Sequence, residues 1–146
     1  MEKRTCIIRI RGRVGLKKDV KETLDRLRIR RKYSCVVIIP NKDQEGMIKR
    51  IRSFVTYGEI KKDTFEKLIE KRAQVIDKNK SKKEQIDPKK IIEELDRGKR
   101  YEDLNLKPFF RLHPPRGGIE SKKHVGEGKG ILGHNEKINE LLERML

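Results

Sequence analysis

The stretch YSCVVIIPNKDQEGMIKRIRSFVTYGEI, Tyr33–Ile60, predicts a strand, a helix and another strand in direct succession. Tyr33–Ile39 is rich in β-branched residues and is followed by a proline, which is typical of a largely buried strand. Asp43–Val55 has apolar residues at helical spacing, and its first residue is a suitable cap. Thr56–Ile60 then predicts a short strand. The helix would cover the sheet with one apolar stripe, formed by Met47, Ile48, Ile51, Phe54 and Val55.

Working back towards the N-terminus, the same alternation of strand and helix continues. Thr5–Gly12 predicts a strand, and Lys17–Ile29 predicts a helix with apolar residues at offsets of 0, 4 and 7. Residues 1–61 therefore form a β-α-β-α-β unit, and we expect an α+β domain with a three-stranded sheet and helices on one face. In the first strand the residues alternate between Cys6, Ile8 and Ile10 on one face and Ile7, Arg9 and Arg11 on the other, with Arg13 continuing the second row.

Residues 62–104 predict a helical elaboration of this unit. Asp63–Glu66 has the spacing of a capping box at a helix start. The polar stretch near residues 77–86 has almost no apolar residue and is the best linker candidate. Asp87 and Pro88 then predict a helix start, and Gly98 lies where that helix should stop.

Residues 105–146 predict a strand, a loop and a final helix on the core. Leu106–His113 reads as extended and ends at two prolines. Gly117–Gly133 holds six of the eleven glycines and predicts a loop, and Asn135 can cap a helix over Glu136–Met145. The G-x-G-x-x-G spacing of Gly128–Gly133 does not predict a dinucleotide site, because only 13 residues follow it.

The charge of the chain indicates a polyanionic partner. The chain has 146 residues, 39 of them basic and 23 acidic, for a net charge of +16, and its apolar content is only 34%. Residues 1–61 carry a net +11, residues 62–104 a net +2 and residues 105–146 a net +3. Net charge of this size is informative about partners rather than about fold, and nucleic acid is the first candidate.

The sequence has few features that indicate another class of function. There is no apolar run of membrane-spanning length, the N-terminus lacks the features of a secretory signal, and aromatic membrane anchors are scarce. Cys6 and Cys35 lie in apolar runs, so we interpret them as buried free thiols, although a disulfide between neighbouring strands stays open.

The histidines do not predict a metal site. His113, His124 and His134 are 11 and 10 residues apart with no cysteine nearby, which matches no zinc signature. Loop histidines beside lysines and arginines fit contacts to phosphate, sugar or base better, or no special role. The sequence shows no nucleophile or phosphate-loop motif either, so we expect no enzyme and no cofactor.

The basic residues themselves are the predicted site. Arginines on alternate positions of the first strand would stand about 6.6 Å apart, comparable to successive phosphates, and each could bind a phosphate bidentately. Few aromatics are available for stacking, so we expect contacts to the backbone rather than base readout. The predicted RNA-binding residues are Arg9, Arg11, Arg13, Lys17, Lys18, Arg28, Arg30, Arg31, Lys32, Lys49, Arg50, Arg52, Arg111, His113, Arg116, Lys122, Lys123, His124, Lys129 and His134.

Three stretches together resemble one known family. These are YSCVVIIPNKDQEGMIKRIRSFVTYGEI, KPFFRLHPPRGGIESKKH and GILGHNE, and the likeness covers about residues 4–75 and 105–146. They are similar to the L-thirty family of large-subunit ribosomal proteins, in its longer archaeal branch related to the eukaryotic L-seven proteins. The resemblance implies a ferredoxin-like-related sheet with the first strand central, two helices on one face and a C-terminal extension.

The resemblance also implies a structural role without catalysis. The leading hypothesis is a cytoplasmic constituent of the large ribosomal subunit that binds rRNA, with neighbouring ribosomal proteins as further partners and no membrane or small-molecule substrate. An RNA-processing or RNA-modifying enzyme and a DNA-architectural protein are the alternatives.

Overall fold

A computed structural model describes residues 4–12, 15–76, 87–119, 121–124 and 130–146, and for 121–124 the backbone alone. The predicted linker near residues 77–86 lies outside these ranges. The strands are β1 Thr5–Arg9, β2 Ser34–Ile38, β3 Val55–Glu59, β4 Phe110–Arg111, β5 Ser121–His124 and β6 Gly130–His134. The α-helices are α1 Lys18–Arg26, α2 Lys42–Arg50, α3 Lys62–Arg72, α4 Pro88–Asp96 and α5 Ile138–Met145.

The strands form one sheet in the order β4-β2-β1-β3-β6-β5. β1 pairs antiparallel with both β2 and β3, so the expected central position of the first strand is confirmed. β4 extends the sheet antiparallel beside β2, whereas β6 lies parallel to β3 and to β5.

Both faces of the sheet are covered. Ile7 and Val36 point towards α1 and α2 and join one apolar cluster with Leu24 and Ile48. The opposite face of β1, including Ile8, belongs to a second cluster. The α+β prediction is thus confirmed, with the two helices of residues 1–61 on one face. The second cluster is completed mainly by α3 and α5, through Phe65, Leu68, Ile69, Ile138, Leu141, Leu142 and Met145.

The predicted bounds and cap of α2 were wrong. Asn41, not Asp43, is the N-cap: its side chain accepts a hydrogen bond from the Gln44 N–H, and the Gln44 side chain accepts one from the Asn41 N–H. This reciprocal pair is a capping box. The helix ends at Arg50, and Val55 already belongs to β3. Apolar spacing alone did not locate the end, because buried residues of the turn and strand continue the same pattern.

The capping box predicted at Asp63 is also absent, since no side chain within α3 caps its first turn. A residue of α5 instead binds the backbone just before the helix. The Lys61 N–H donates to the Asn139 side-chain oxygen at 2.9 Å, and the Asn139 amide donates to the Glu59 carbonyl at 3.1 Å. The end of β3 and the start of α3 are therefore fixed by a partner about 80 residues away.

Of the other two predicted caps, the one at Asp87 is confirmed and the one at Asn135 is not. Asp87 accepts from the Lys89 N–H at the start of α4. The Asn135 side chain does accept from the Lys137 N–H, but this bond lies in the turn before α5. The helix begins at Ile138 rather than at the predicted Glu136, and its N-cap is Lys137, which has no side-chain cap.

The segment predicted as a glycine loop contains two strands. β5 lies within it, and β6 covers its last residues and pairs in parallel with β3. The glycines of this segment weakened the pattern by which a strand is predicted. Glycine also lets two stretches of backbone approach closely, as Gly58 of β3 shows. A Cβ on Gly58 would lie 2.3 Å from the backbone oxygen of Asn135, so only glycine fits at the crossing of β3 and the residues after β6.

Cys6 and Cys35 are both buried and are not joined by a disulfide; their thiols share a hydrogen bond, with the sulfur atoms 3.2 Å apart. They are thus the buried free thiols that the sequence predicted. Within the part of the chain that the structure describes, no helix combines the length and the apolar content that crossing a membrane requires.

Candidate RNA-binding surface

The antiparallel order of the first three strands brings basic segments to one end of the sheet. β1 finishes where β2 and β3 begin, with Arg9 opposite Val55 and Ile8 opposite Cys35. The N–H groups of Ile10 and Arg11 both donate to the Phe54 carbonyl, which fixes the chain after β1 beside the turn before β3. We call this surface the basic end; its exposed members are Arg11, Arg28, Arg30, Arg31, Lys32, Arg52 and Arg111.

Arg9 does not belong to the exposed set, which corrects the prediction. Its side chain is 1% exposed. Nε donates to the Arg11 carbonyl at 2.9 Å, and Nη1 donates to the carbonyls of Ile29 at 3.0 Å and Arg30 at 2.7 Å. The guanidinium therefore holds the turn between α1 and β2 against the end of β1. The predicted row of evenly spaced strand arginines does not form, because the strand stops at Arg9.

A concave site lies at the basic end, and we call it the arginine cleft. Its volume is about 410 Å³, and it is lined by Arg28, Arg30, Arg31, Ser34, Phe109 and Arg111. Ser34 at the start of β2 pairs with Arg111 of β4, which sets the two sides of the cleft at a fixed distance. Four of the predicted contact residues, three from the α1–β2 turn and Arg111 from β4, thus converge on one space.

The turn that carries three of these arginines has an unusual backbone. Arg28 and Tyr33, at its two ends, both have a φ of 64°. Residues other than glycine rarely adopt this left-handed conformation, and it persists where the surroundings enforce it. Here the Tyr33 N–H donates to the Arg9 carbonyl at 2.7 Å, and the Leu112 N–H donates to the Tyr33 carbonyl at 3.0 Å. The turn is consequently tied to both β1 and the residues after β4.

Ion pairing at the cleft is weak. Arg28 lies 3.5 Å from Glu102, and the two side chains are 59% and 41% exposed. An ion pair this exposed contributes little and is screened by salt. A ligand phosphate could therefore compete with Glu102 for Arg28.

Some predicted residues lie in a different place. Lys49 and His134 line a second cavity of about 310 Å³ at the opposite end of the sheet, together with Glu45 and Glu59. His134 is in edge-to-face contact with Tyr57, with ring centroids 5.7 Å apart. The mixed charge there makes this cavity a poorer site for a polyanion than the basic end.

The remaining predicted side chains are scattered over the surface. Lys17 and Lys18 are exposed at the start of α1, and Arg50 is exposed at the end of α2. Arg13 and Lys129 lie outside the described residues, as do the side chains of Lys122, Lys123 and His124.

His113 and Arg116 flank two prolines and are held by the last turn of α5. The His113 N–H donates to the Met145 carbonyl at 2.9 Å, and the Arg116 N–H donates to the Arg144 carbonyl at 3.0 Å. The Arg144 side chain in turn donates to the Gly118 carbonyl. Both predicted side chains remain exposed on a fixed backbone.

The two histidines whose side chains the structure describes do not share a site. His113 and His134 lie at different places, the former near the end of α5 and the latter on β6. Among the residues with described side chains, no group of three or more histidine, cysteine or acidic residues is placed to hold a metal ion.

Sequence reasoning missed Ser34 and Phe109 as cleft residues. The sequence predicts only that one of Phe109 and Phe110 anchors a short strand, and it does not say which. Phe110 is 1% exposed and fills the core, whereas Phe109 is half-buried and lines the cleft. The adjacent aromatic pair was the available signal, because neighbouring strand residues point to opposite faces.

Comparison with known proteins gives one matching family and several similar relatives. Residues 6–55 match the family model described as Ribosomal protein L30p/L7e. The chain is 38% identical over 152 residues to the large ribosomal subunit protein uL30 of Methanococcus maripaludis, covering 97% of this chain and 98% of that protein. It is 36% identical to uL30 of Methanosphaera stadtmanae, covering 97% and 99%, and 39% identical to uL30 of Archaeoglobus fulgidus, covering 96% and 98%.

Proposed function

Because the chain belongs to the L30p/L7e family of ribosomal proteins, we propose that it is a structural constituent of the large ribosomal subunit that binds rRNA through phosphate contacts at its basic end. Its role in the ribosome is structural and not enzymatic. Its place of action is the large subunit in the cytoplasm, among rRNA and neighbouring ribosomal proteins.

One observation carries the rRNA-binding part of the proposal: separate basic segments converge on one end of the sheet while Arg9 is buried beneath them. Arginines from separate segments produce a high local density of positive charge only where the fold brings those segments together. Dense positive charge on a rigid surface attracts phosphates and releases their counterions. The buried guanidinium adds rigidity, since it fixes the carbonyls of Ile29 and Arg30 next to the exposed side chains.

A second contact region follows from the C-terminal segment. His113 and Arg116 are exposed on a backbone fixed to α5, and the strand β5 follows shortly after with two lysines and a histidine in its sequence. Leu112 is hydrogen-bonded to Tyr33, so the segment leaves from the basic end. We propose that it continues the phosphate-binding surface, with Lys122, Lys123 and His124 as contacts.

The test is a titration of the full-length protein with large-subunit rRNA fragments at several salt concentrations. Log affinity should fall linearly with log salt, because each neutralised phosphate releases condensed counterions. The double variant Arg30→Ala/Arg31→Ala should lower the steepness of that dependence by about two, one for each lost phosphate contact. Arg97→Ala, which removes an exposed arginine of α4's C-terminal end, is the matched control and should change neither slope nor affinity.

A flat salt response would contradict phosphate binding. Equal affinity for duplex DNA of the same length would instead support the DNA-architectural alternative, and competition between the two nucleic acids in one titration distinguishes them. We expect structured rRNA to compete more strongly.

A further inference from the structure

We propose that the arginine cleft binds one unpaired nucleotide, with its base stacked on the Arg111–Phe109 pair and its flanking phosphates on the arginines of the α1–β2 turn. This inference rests on the proposed rRNA-binding function and specifies the ligand of its central site. It departs from the sequence-based expectation of backbone contacts alone.

The shape of the site favours a single nucleotide over a helix backbone. A duplex presents a convex backbone, which fits a flat or gently curved basic surface. The arginine cleft is instead a concavity of about 410 Å³, within the range of about 300–1,000 Å³ typical of small-ligand pockets. A nucleotide turned out of its stack can enter such a space, whereas a paired helix cannot.

The composition of the lining divides the cleft into two parts. Arg28, Arg30 and Arg31 come from one turn and supply the positive charge. Phe109 and Arg111 come from the opposite side, where the Arg111 guanidinium lies over the Phe109 ring with its central carbon 5.8 Å from the ring centroid. Phosphates suit the first side and a flat aromatic base suits the second.

The Arg111–Phe109 pair is suited to stacking because the guanidinium is planar and is supported from below. The Phe109 ring packs against the apolar cluster that α1 and α2 form with the sheet. Unpaired RNA bases stack on aromatic rings and on arginine planes. A base on Arg111 would extend the existing cation–π contact by one layer.

The phosphate side of the cleft is formed in advance. Two residues with a φ of 64° bracket the turn, and Arg9 binds two of its carbonyls. Because the turn has this conformation before binding, less conformational entropy is lost when the ligand binds. Arg9 is thus a positioning residue for the cleft and does not itself contact the nucleotide.

The experiment compares two small probes on the full-length protein by calorimetry: adenosine 3′,5′-bisphosphate and the corresponding ribose bisphosphate without a base. Both present the same phosphates, so their affinity ratio reports the base alone. The wild-type protein should prefer the adenosine probe by at least about fivefold, the lower end of what stacking of one base contributes.

Two variants locate the preference, and two others serve as controls. Arg111→Lys keeps the charge but loses the plane, and Phe109→Leu keeps an apolar side chain but loses the ring. Each should reduce the ratio of affinities towards one while leaving binding of the baseless probe nearly unchanged. Phe109→Tyr keeps a ring and should retain the preference, and Arg97→Ala should match the wild type.

Equal wild-type affinity for both probes, a preference that survives both Arg111→Lys and Phe109→Leu, or no binding of either probe at millimolar concentration would overturn the proposal. The rRNA titration on the same preparation separates this failure from a failure of the proposed function. Salt-dependent rRNA binding without a base preference would remove the nucleotide site alone, whereas loss of both would remove the function as well.

Discussion

At the level of single residues, Arg9 shows how a correct pattern led to a wrong role. Alternation placed it on the face of β1 opposite Cys6, and the separate apolar clusters on the two sides of β1 confirm that alternation. The same pattern predicted exposure, because an arginine on a strand face is usually solvated. Two of the three carbonyls that bind it belong to the α1–β2 turn, about 20 residues away, and sequence periodicity contains no information about that approach.

Arg9→Ala should therefore lower the stability of the fold as well as RNA affinity. Three carbonyls would lose their donor, and we expect the free energy of unfolding to fall by about 2–4 kcal/mol. Urea unfolding followed by circular dichroism measures this change. Arg52→Ala, at an exposed position on the same end of the sheet, is the control and should stay within about 0.5 kcal/mol of wild type. Equal losses in the two variants would contradict the bracing role of Arg9.

The paired cysteines lead to a second prediction at this scale. Burial raises the pKa of the Cys35 thiol, and the hydrogen bond with Cys6 raises it further. A raised pKa means less thiolate, which is the reactive form. At pH 8 the folded protein should react with a disulfide reagent far more slowly than the protein in denaturant, where both thiols should react. Rapid labelling of two thiols without denaturant would show that the site is open.

At the level of elements, the strands and helices of residues 1–61 were predictable because their apolar periodicity was strong. All five were expected in the right order, and only their ends differed. Ends depend on caps, and the caps of α2 and α3 were misassigned. The α2 cap is local but lies two residues earlier than expected, whereas α3 has no side-chain cap and the backbone just before it is held by Asn139 of α5. The second of these could not be found from local spacing.

Glycine positions were harder to interpret from the sequence, and β6 was missed for that reason.

Substitutions of two glycines by alanine should change the stability of the fold in opposite directions. Gly58→Ala would put a Cβ 2.3 Å from the Asn135 oxygen and 3.0 Å from Ile138, so backbone must move, and we expect a loss of about 1–3 kcal/mol.

Gly46→Ala is the matched control within α2. Nothing lies within 4 Å of its added Cβ, and alanine is the better helix former, so we expect a gain of about 0.5–1 kcal/mol. Thermal unfolding of both variants under one condition decides the matter. A gain in stability for Gly58→Ala would refute the close packing of β3 against the start of α5.

At the level of the whole molecule, charge predicted the class of partner but not the site. The excess of basic residues in residues 1–61 was evident from the sequence. Which of them converge depends on β1 being antiparallel to both neighbours and on β4 returning beside β2. Lys49 and His134 were assigned to the same predicted surface as Arg30, yet they lie at the opposite end of the sheet. Charge counting has no means of making that distinction.

We propose that the basic end attaches this protein to the large ribosomal subunit. The most direct measurement is sedimentation of the tagged protein through a sucrose gradient, in extract of the cells that make it. The wild-type protein should sediment with the large subunit, and a variant with Arg28, Arg30, Arg31 and Arg111 all changed to alanine should remain folded near the top of the gradient. Wild-type protein at the top of the gradient, or the variant in the large-subunit fractions in equal amount, would contradict the account.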